Sequence, residues 1–182
     1  MVNNENSIRD YILIDYLKNN TIRHEIGLTN FLFDREVPED TTIGRTDIKV
    51  QSPNTLIDTG AYYIIECKRI DAVNQTGTTG LNAQYIKQGI CRFTSSTYSS
   101  YYRANGMIGF VVTEIDISEN IRHINTLMRD SFKQHCNLVS ELTQRTILNG
   151  FEYSYCSVHQ VNESQNITMY HLMLDFSENM VV

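Results

Sequence analysis

The amino-acid sequence predicts an α/β domain in which a central mixed β-sheet is flanked by helices. Runs with the two-residue period of strands alternate along the chain with runs that have helical periodicity. Residues 62–65 are all apolar, which is typical of a strand covered on both faces. Hydrophobic residues make up 41% of the 182 residues, which is enough to build a core. No linker is evident, so we expect one domain over residues 1–182.

The N-terminal part is predicted to contain one helix and three strands. Residues 5–19 have apolar side chains at helical spacing, and Asn3 or Asn4 can cap this helix. Three strand-like runs follow, at residues 31–37, 45–51 and 61–70. Turn-forming residues at 52–54 and 58–60 separate the second run from the third. We therefore expect these two strands to pair as a hairpin.

The rest of the chain is predicted to add helices and three more strands. Residues 81–93 form a helix, 107–113 a strand, and 118–149 a long helical region of one or two helices. Residues 151–161 and 167–176 form a closing hairpin. A helix between the third and fourth strands can serve as a crossover, which makes the sheet mixed. The order is thus αβββαβ, followed by helices and a C-terminal β-hairpin.

Bulk properties limit the compartment and the partners. The N-terminus lacks the basic and apolar regions of a signal peptide, and no run of 18 apolar residues exists, so we expect no membrane association. Four cysteines without a CxxC pair favour free thiols and a cytoplasmic location. The net charge of −6 opposes nucleic-acid binding, unless basic side chains are segregated into one groove or a bound cation reverses the local charge.

The third strand ends in a group of residues that carries chemistry. Glu66 and Lys68 alternate with Cys67, so they point to the same side, about 6.5–7 Å apart along the strand. Burying this carboxylate and ammonium is expensive unless they serve each other or a metal. Asp47 lies on the preceding strand and comes close if the hairpin forms. Two carboxylates, with the Cys67 carbonyl as a further ligand, suit Mg²⁺ or Mn²⁺.

The second and third strand-like runs resemble the sequence motif of the PD-(D/E)xK nuclease superfamily, which includes restriction endonucleases and DNA-repair nucleases. Its signature is an acidic residue on one strand and ExK on the next, as in residues 44–50 and 62–69. The predicted order αβββαβ also matches the family's restriction-endonuclease-like core, over residues 3–113. The family's first half-motif has a proline where this chain has Thr46 before Asp47.

The resemblance implies a metal-dependent endonuclease that acts on DNA in preference to RNA. It makes Asp47, Glu66 and Lys68 the catalytic residues, with Mg²⁺ or Mn²⁺ held by Asp47, Glu66 and the Cys67 carbonyl. Lys68 would orient or help deprotonate the attacking water. The family also implies a homodimer and a setting in restriction or defence against foreign DNA.

Further site residues are predicted on two helices. Glu5 is a tentative metal ligand, since the first helix of the family often supplies an acidic residue; the alternative is a carboxylate that stabilises the helix start. Glu25 and Glu36 are weaker rivals. Gln88 is predicted as a catalytic residue on the helix after the loop. Lys87 and Arg92 are predicted to contact substrate phosphates, although a solvated helix face is the simpler explanation for both.

A basic groove and an aromatic platform complete the predicted substrate surface. Lys68, Arg69, Arg92 and Arg103 form the groove, with Arg69 as a substrate-binding residue. The platform would stack on unpaired bases, unless the tyrosine-rich segment is simply packed. Its members are Tyr98, Tyr101 and Tyr102. Two histidines of the closing hairpin, His159 and His171, are predicted to be packed rather than ligating.

Two alternatives stay open at the level of sequence. The first is a nucleic-acid-binding or protein-interaction module on the same fold that does not cut; the acidic pI of about 5.3 favours it. The second is an unrelated α/β protein in which Lys68 forms a buried ion pair with Glu66 or Asp47.

Overall fold

The centre of the molecule is a seven-stranded mixed sheet with the order β1-β2-β3-β4-β7-β6-β5. The computed structural model describes residues 1–38, 44–95, 97–98 and 104–181. The strands are β1 (Leu32–Pro38), β2 (Arg45–Gln51), β3 (Tyr62–Ile70), β4 (Ala104–Val111), β5 (Leu138–Gln144), β6 (Ser154–Asn162) and β7 (Gln165–Asp175). β1, β2 and β3 are antiparallel, β4 runs parallel to both β3 and β7, and β5, β6 and β7 are antiparallel. The predicted α/β class and mixed sheet are confirmed.

Helices cover both faces of the sheet. They are α1 (Glu5–Tyr11), α2 (Asn20–Glu25), α3 (Leu81–Tyr85), α4 (Cys91–Thr94), α5 (Ile117–Asp130) and α6 (Lys133–Cys136). A π-helical turn, Ile12–Leu17, extends α1, and a second one, Ile86–Ile90, joins α3 to α4 in one continuous helix. Among the described residues, none of the helices has the length and apolar content that crossing a bilayer requires.

Two apolar clusters hold these layers together. On one face, Ile8 and Leu13 from the N-terminal helix are fully buried against Ile48 of β2. On the other face, the helix from α3 to α4 packs with α5 and α6 on the sheet. The apolar stripe of the helix from α3 to α4 is fully buried. Its members are Tyr85, Ile86, Ile90 and Phe93. The helix from α3 to α4 therefore buries the stripe that its periodicity predicts, whereas Tyr16 of the stripe predicted for the N-terminal helix is 46% exposed.

The predicted elements differ from the structure mainly in the second half of the chain. The helical region predicted over 118–149 is wrong beyond Cys136, because β5 occupies Leu138–Gln144. Asn137 has φ 45°, a left-handed conformation that ends the helix and turns the chain into this edge strand. The sequence pattern also failed to predict α2, in which the N–H groups of Thr21 and Ile22 donate to the Asn19 side chain.

A buried chain of hydrogen bonds links β6 and β7 to the helix layer. The His159 Nδ1–H donates to the Cys136 carbonyl, so its Nε2 must accept from the Ser157 hydroxyl. The Ser157 oxygen in turn accepts from His171 Nε2–H, and His171 Nδ1 accepts from the Tyr85 hydroxyl. One carbonyl thus fixes the direction of every bond between the neutral rings, and burial keeps both histidines neutral by lowering their pKa. The prediction that they are packed is confirmed.

Candidate active site

The β2–β3 hairpin brings the two predicted carboxylates to the same end of the sheet. Ile48 pairs with Ile65, so Asp47 lies on β2 beside Glu66 on β3. The backbone N–H of Cys67 donates to Asp47 Oδ2 at 2.8 Å. Asp47 therefore spans the two strands with its side chain at the edge of the site.

The Lys68 ammonium lies among the four groups that the sequence assigned to a metal ion. Its Nζ is 2.7 Å from Glu66 Oε1, 2.8 Å from the Cys67 carbonyl oxygen and 3.0 Å from Glu5 Oε1. Asp47 Oδ2 is 3.7 Å from the same nitrogen. These oxygens come from α1, β2 and β3, and they all surround one positive charge. The position of Glu5 places the start of α1 directly at the candidate site.

Glu5 also fixes the helix to the strand. Its second oxygen, Oε2, accepts from the backbone N–H of Arg69 at 3.2 Å. The Asn4 side chain caps α1 by accepting from the Ser7 N–H, which sets where the first turn begins. The Arg69 guanidinium donates to the backbone and side-chain oxygens of Asn3. Arg69, predicted to bind substrate, is thus used to anchor the N-terminus.

Glu66 is fully buried and has protein donors on both oxygens. Arg92 donates to Oε1 at 2.9 Å, and the Tyr98 hydroxyl lies 2.5 Å from Oε2. The hydroxyl also receives a hydrogen bond from Arg92 and donates to the backbone carbonyl of Arg45. Tyr98 therefore joins β2, β3 and the helix at one oxygen atom. Arg92, predicted as a phosphate contact, is at the same time an ion-pair partner of Glu66.

Burial and neighbouring charges control the protonation of Glu66 and Lys68. Burial, followed by the charge of Asp47, raises the pKa of Glu66 to about 7, and Lys68 and Arg92 only partly oppose this rise. Burial lowers the pKa of Lys68, but the charges of Glu66, Asp47 and Glu5 outweigh it, so the net direction is upward. Lys68 is therefore an ammonium near neutral pH and not a free base.

Arg9 is a central member of the site that the sequence reading missed. Its guanidinium is only 3% exposed and contacts Asp10 at 2.8 Å, Glu36 at 3.1 Å and Asp47 at 3.3 Å. Arg9 follows Glu5 by four residues, so both lie on the same side of α1. That spacing is the signal that would have revealed it. Glu36, considered a weaker ligand candidate, has φ 49° and binds Arg9 instead.

Gln88 and Lys87 are exposed on the helix and do not join this group. No hydrogen bond connects Gln88 with the acidic site residues in the part of the chain that the structure describes. The π-helical turn changes the angle per residue, and Gly89 is the position on this helix that faces β4 and β3: a Cβ there would collide with the Met107 side chain and lie 3.5 Å from Lys68 Cγ. Lys87 lies over the Phe132 ring, 5.4 Å from its centroid.

The predicted aromatic platform is only partly within the described residues. Tyr101, Tyr102 and Arg103 lie outside them. Tyr98 is 2% exposed, and its ring packs edge-on against Phe93 with centroids 5.1 Å apart. Its ring is therefore not available to stack on a base, and its role lies in the hydroxyl.

The donor set agrees with a hard divalent cation, although the side chains are arranged around an ammonium. Three carboxylates and a carbonyl are the oxygen ligands that Mg²⁺ and Mn²⁺ prefer. Within the described ranges, no three His, Cys, Asp or Glu side chains are already spaced to hold a metal ion. The Lys68 ammonium must move away before the oxygens can converge on another cation.

Comparison of the chain with protein-family models, with curated proteins and with solved structures found no match. The site's geometry and the sequence motif are therefore the basis for any assignment of function.

Proposed function

We propose that this protein is a metal-dependent endonuclease of the PD-(D/E)xK type that hydrolyses phosphodiester bonds, in DNA in preference to RNA. The observation that carries the proposal is the convergence of four oxygens on one cation position at the end of β3. Those oxygens belong to Glu5, Asp47, Glu66 and the Cys67 carbonyl. In the structure that position is occupied by the ammonium of Lys68, the buried lysine of the ExK motif.

The residues divide into ligands, a charged catalytic group and positioning groups. Asp47, Glu66, the Cys67 carbonyl and Glu5 would hold Mg²⁺ or Mn²⁺. The bound ion supplies a polarised phosphoryl oxygen and a water of lowered pKa. Lys68, displaced from the oxygens, orients the attacking water and offsets the negative charge that develops on the phosphate.

Arg92 and Tyr98 are positioning residues in this proposal. Both contact the buried carboxylate of Glu66, and neither is among the proposed ligands. They hold that carboxylate in one orientation, because each of its oxygens has a fixed donor. A homodimer, and a role in restriction or defence against foreign DNA, belong to the proposal through the resemblance alone.

A second candidate function is a non-cutting nucleic-acid-binding or protein-interaction module. The ion pairing favours it, since Glu66 and Asp47 already have cationic partners in Lys68, Arg92 and Arg9. Such saturation is what a purely structural ion network needs. The two candidates differ in whether a divalent ion replaces the ammonium.

Cleavage and metal binding together separate the candidates. Wild type, Lys68→Ala and Glu66→Gln are incubated with linear, circular and single-stranded DNA and with RNA, in Mg²⁺, Mn²⁺ or EDTA. Mn²⁺ binding is measured in parallel by calorimetry. We expect both variants to lose cleavage, Glu66→Gln also to lose Mn²⁺, and Lys68→Ala to keep or tighten Mn²⁺ binding because the competing ammonium is gone.

Arg122→Ala is the matched control, because Arg122 is an exposed cation on α5 whose one ion pair within the described residues is with Glu119. It should cut and bind Mn²⁺ like wild type. Absence of Mn²⁺ binding in the wild type would reject the enzyme and favour the non-cutting module. Cleavage that survives in Lys68→Ala would reject the catalytic role of the lysine.

A further inference from the structure

A cavity of about 520 Å³ opens beside the candidate metal site. Asp47 lines this cavity and is also one of the proposed metal ligands, so the cavity and the candidate metal site are adjacent. Six residues that define its character are Asn6, Arg9, Glu36, Arg45, Asp47 and Arg92. Three of these side chains are guanidinium groups, and they come from α1, β2 and α4. Three guanidiniums and two carboxylates thus line this wall, in a protein whose net charge is −6.

The three arginines differ in how far they are already engaged. Arg9 is shared among three carboxylates, so its charge is largely neutralised. Arg92 uses one nitrogen, Nη1, for both Glu66 and Tyr98, and its side chain is 37% exposed. Arg45 is exposed, and its side chain makes no hydrogen bond or ion pair to any residue that the structure describes. Arg45, and the N–H groups of Arg92 other than those on Nη1, are therefore the donors that remain for a ligand.

The backbone holds Arg45 in place although its side chain is exposed. The Tyr98 hydroxyl donates to its carbonyl at 2.8 Å, and the same hydroxyl contacts Arg92. Arg45 precedes Asp47 by two residues on β2, so both side chains point to the same side of the strand. The two arginines and the proposed metal ligand thus share one anchored corner of the sheet.

We propose that this cavity is a phosphate subsite, in which Arg45 and Arg92 bind one phosphate of a nucleic-acid strand beside the metal ligands. The inference rests on the proposed nuclease function and deepens it. Planar guanidinium groups match phosphate oxygens in a two-pronged geometry, which an ammonium does not offer. A strand whose phosphate lies in the cavity passes directly along Asp47, which places the neighbouring phosphodiester at the site.

Binding without cleavage tests the subsite. A short fluorescein-labelled DNA duplex and its single-stranded and RNA counterparts are titrated in Ca²⁺ at several salt concentrations, with wild type, Arg45→Ala, Arg45→Lys and Arg122→Ala. We expect Arg45→Ala to weaken binding roughly tenfold, whatever the base sequence. The slope of log K against log salt should fall by about one. Arg45→Lys should recover the slope but only part of the affinity.

Equal slopes and affinities for Arg45→Ala and Arg122→Ala would overturn the subsite and leave the nuclease proposal intact. Inorganic phosphate gives an independent probe through the Tm of the protein. If no nucleic acid is bound or cut, the proposed function fails. The subsite then survives if phosphate raises the Tm of wild type more than that of Arg45→Ala, and it is overturned if both respond alike.

Discussion

Buried charges in this protein are held by several partners at once. Arg9 contacts three carboxylates, and Lys68 lies among four oxygens. A charge taken out of water is tolerated only with such compensation, and removing one partner leaves the others buried and unpaired. The cost of a substitution should therefore grow with the burial of the lost charge and with the number of partners that it leaves unpaired.

Arg9 and Arg35 provide a direct test, because both bind Asp10 but only Arg9 is buried. Arg9→Met should lower the free energy of unfolding by about 2 kcal/mol, since Glu36 and Asp47 lose a cation as well. Arg35→Met should cost less than about 1 kcal/mol, because its side chain is 50% exposed and its ion pair is screened by water. Urea unfolding of both variants measures the difference. Equal losses would show that burial does not decide the cost.

The Tyr98 hydroxyl should matter for stability far more than an exposed hydroxyl does. Tyr98→Phe removes the donor to the buried Oε2 of Glu66 and to the Arg45 carbonyl. We expect a loss of about 1–3 kcal/mol in urea unfolding. Tyr170→Phe is the control, because Tyr170 is 45% exposed, and it should stay within about 0.5 kcal/mol. A Tyr98→Phe protein as stable as this control would contradict the described role.

Strand periodicity predicted the central residues of the candidate site well. Asp47, Glu66 and Lys68 could be placed because side chains alternate along a strand and a hairpin aligns its two arms. Helical spacing likewise placed Glu5. Arg92 and Tyr98 could not be assigned to Glu66, because their contacts depend on the π-helical turn and on the bend at residues 97–98. Neither feature has a local sequence signal that competes with ordinary helix periodicity.

At the level of elements, β2 and β5 show how the burial pattern of a strand affects its prediction from sequence. β2 alternates buried and less buried side chains, and its bounds were predicted correctly. β5 is an edge strand with a single fully buried position, Leu142, so its pattern resembles a polar helix face. Its pairing with β6 is also irregular. Tertiary pairing, and not local preference, decides its conformation.

The β6–β7 hairpin should make the stability of the whole fold depend on pH. Burial lowers the pKa of His159 to about 4 and of His171 to about 3, from 6.5 in the unfolded chain. The unfolded chain therefore takes up protons below about pH 6.5 while the folded chain does not. The free energy of unfolding should fall as the pH drops from 6.5 to 4, by roughly 3 kcal/mol for each histidine at pH 4.

Urea unfolding between neutral pH and pH 4 measures this loss. His171→Gln removes one of the two buried imidazoles, so its stability should change less steeply with pH than that of wild type. His24→Gln is the control, since His24 is exposed on α2, and it should leave the steepness unchanged. The same pH dependence in all three proteins would show that the hairpin histidines are not responsible.

At the scale of the whole molecule, charge limits how nucleic acid can be bound. The candidate site and the cavity beside it hold as many cationic as anionic side chains. The cations are Arg9, Arg35, Arg45, Lys68 and Arg92, and the anions are Glu5, Asp10, Glu36, Asp47 and Glu66. With a net charge of −6 on the chain, this balance leaves little to attract a polyanion from a distance.

A divalent ion should therefore govern binding as well as cleavage. Two added positive charges among Glu5, Asp47 and Glu66 turn a balanced site into an attractive one. We expect the wild type to bind labelled DNA at least about tenfold more tightly in Ca²⁺ than in EDTA at matched ionic strength. Glu66→Gln, which is expected not to hold the ion, should bind equally weakly in both. Equal affinity of the wild type in Ca²⁺ and EDTA would mean that the protein's own cations bind the strand, which is the behaviour of the non-cutting module.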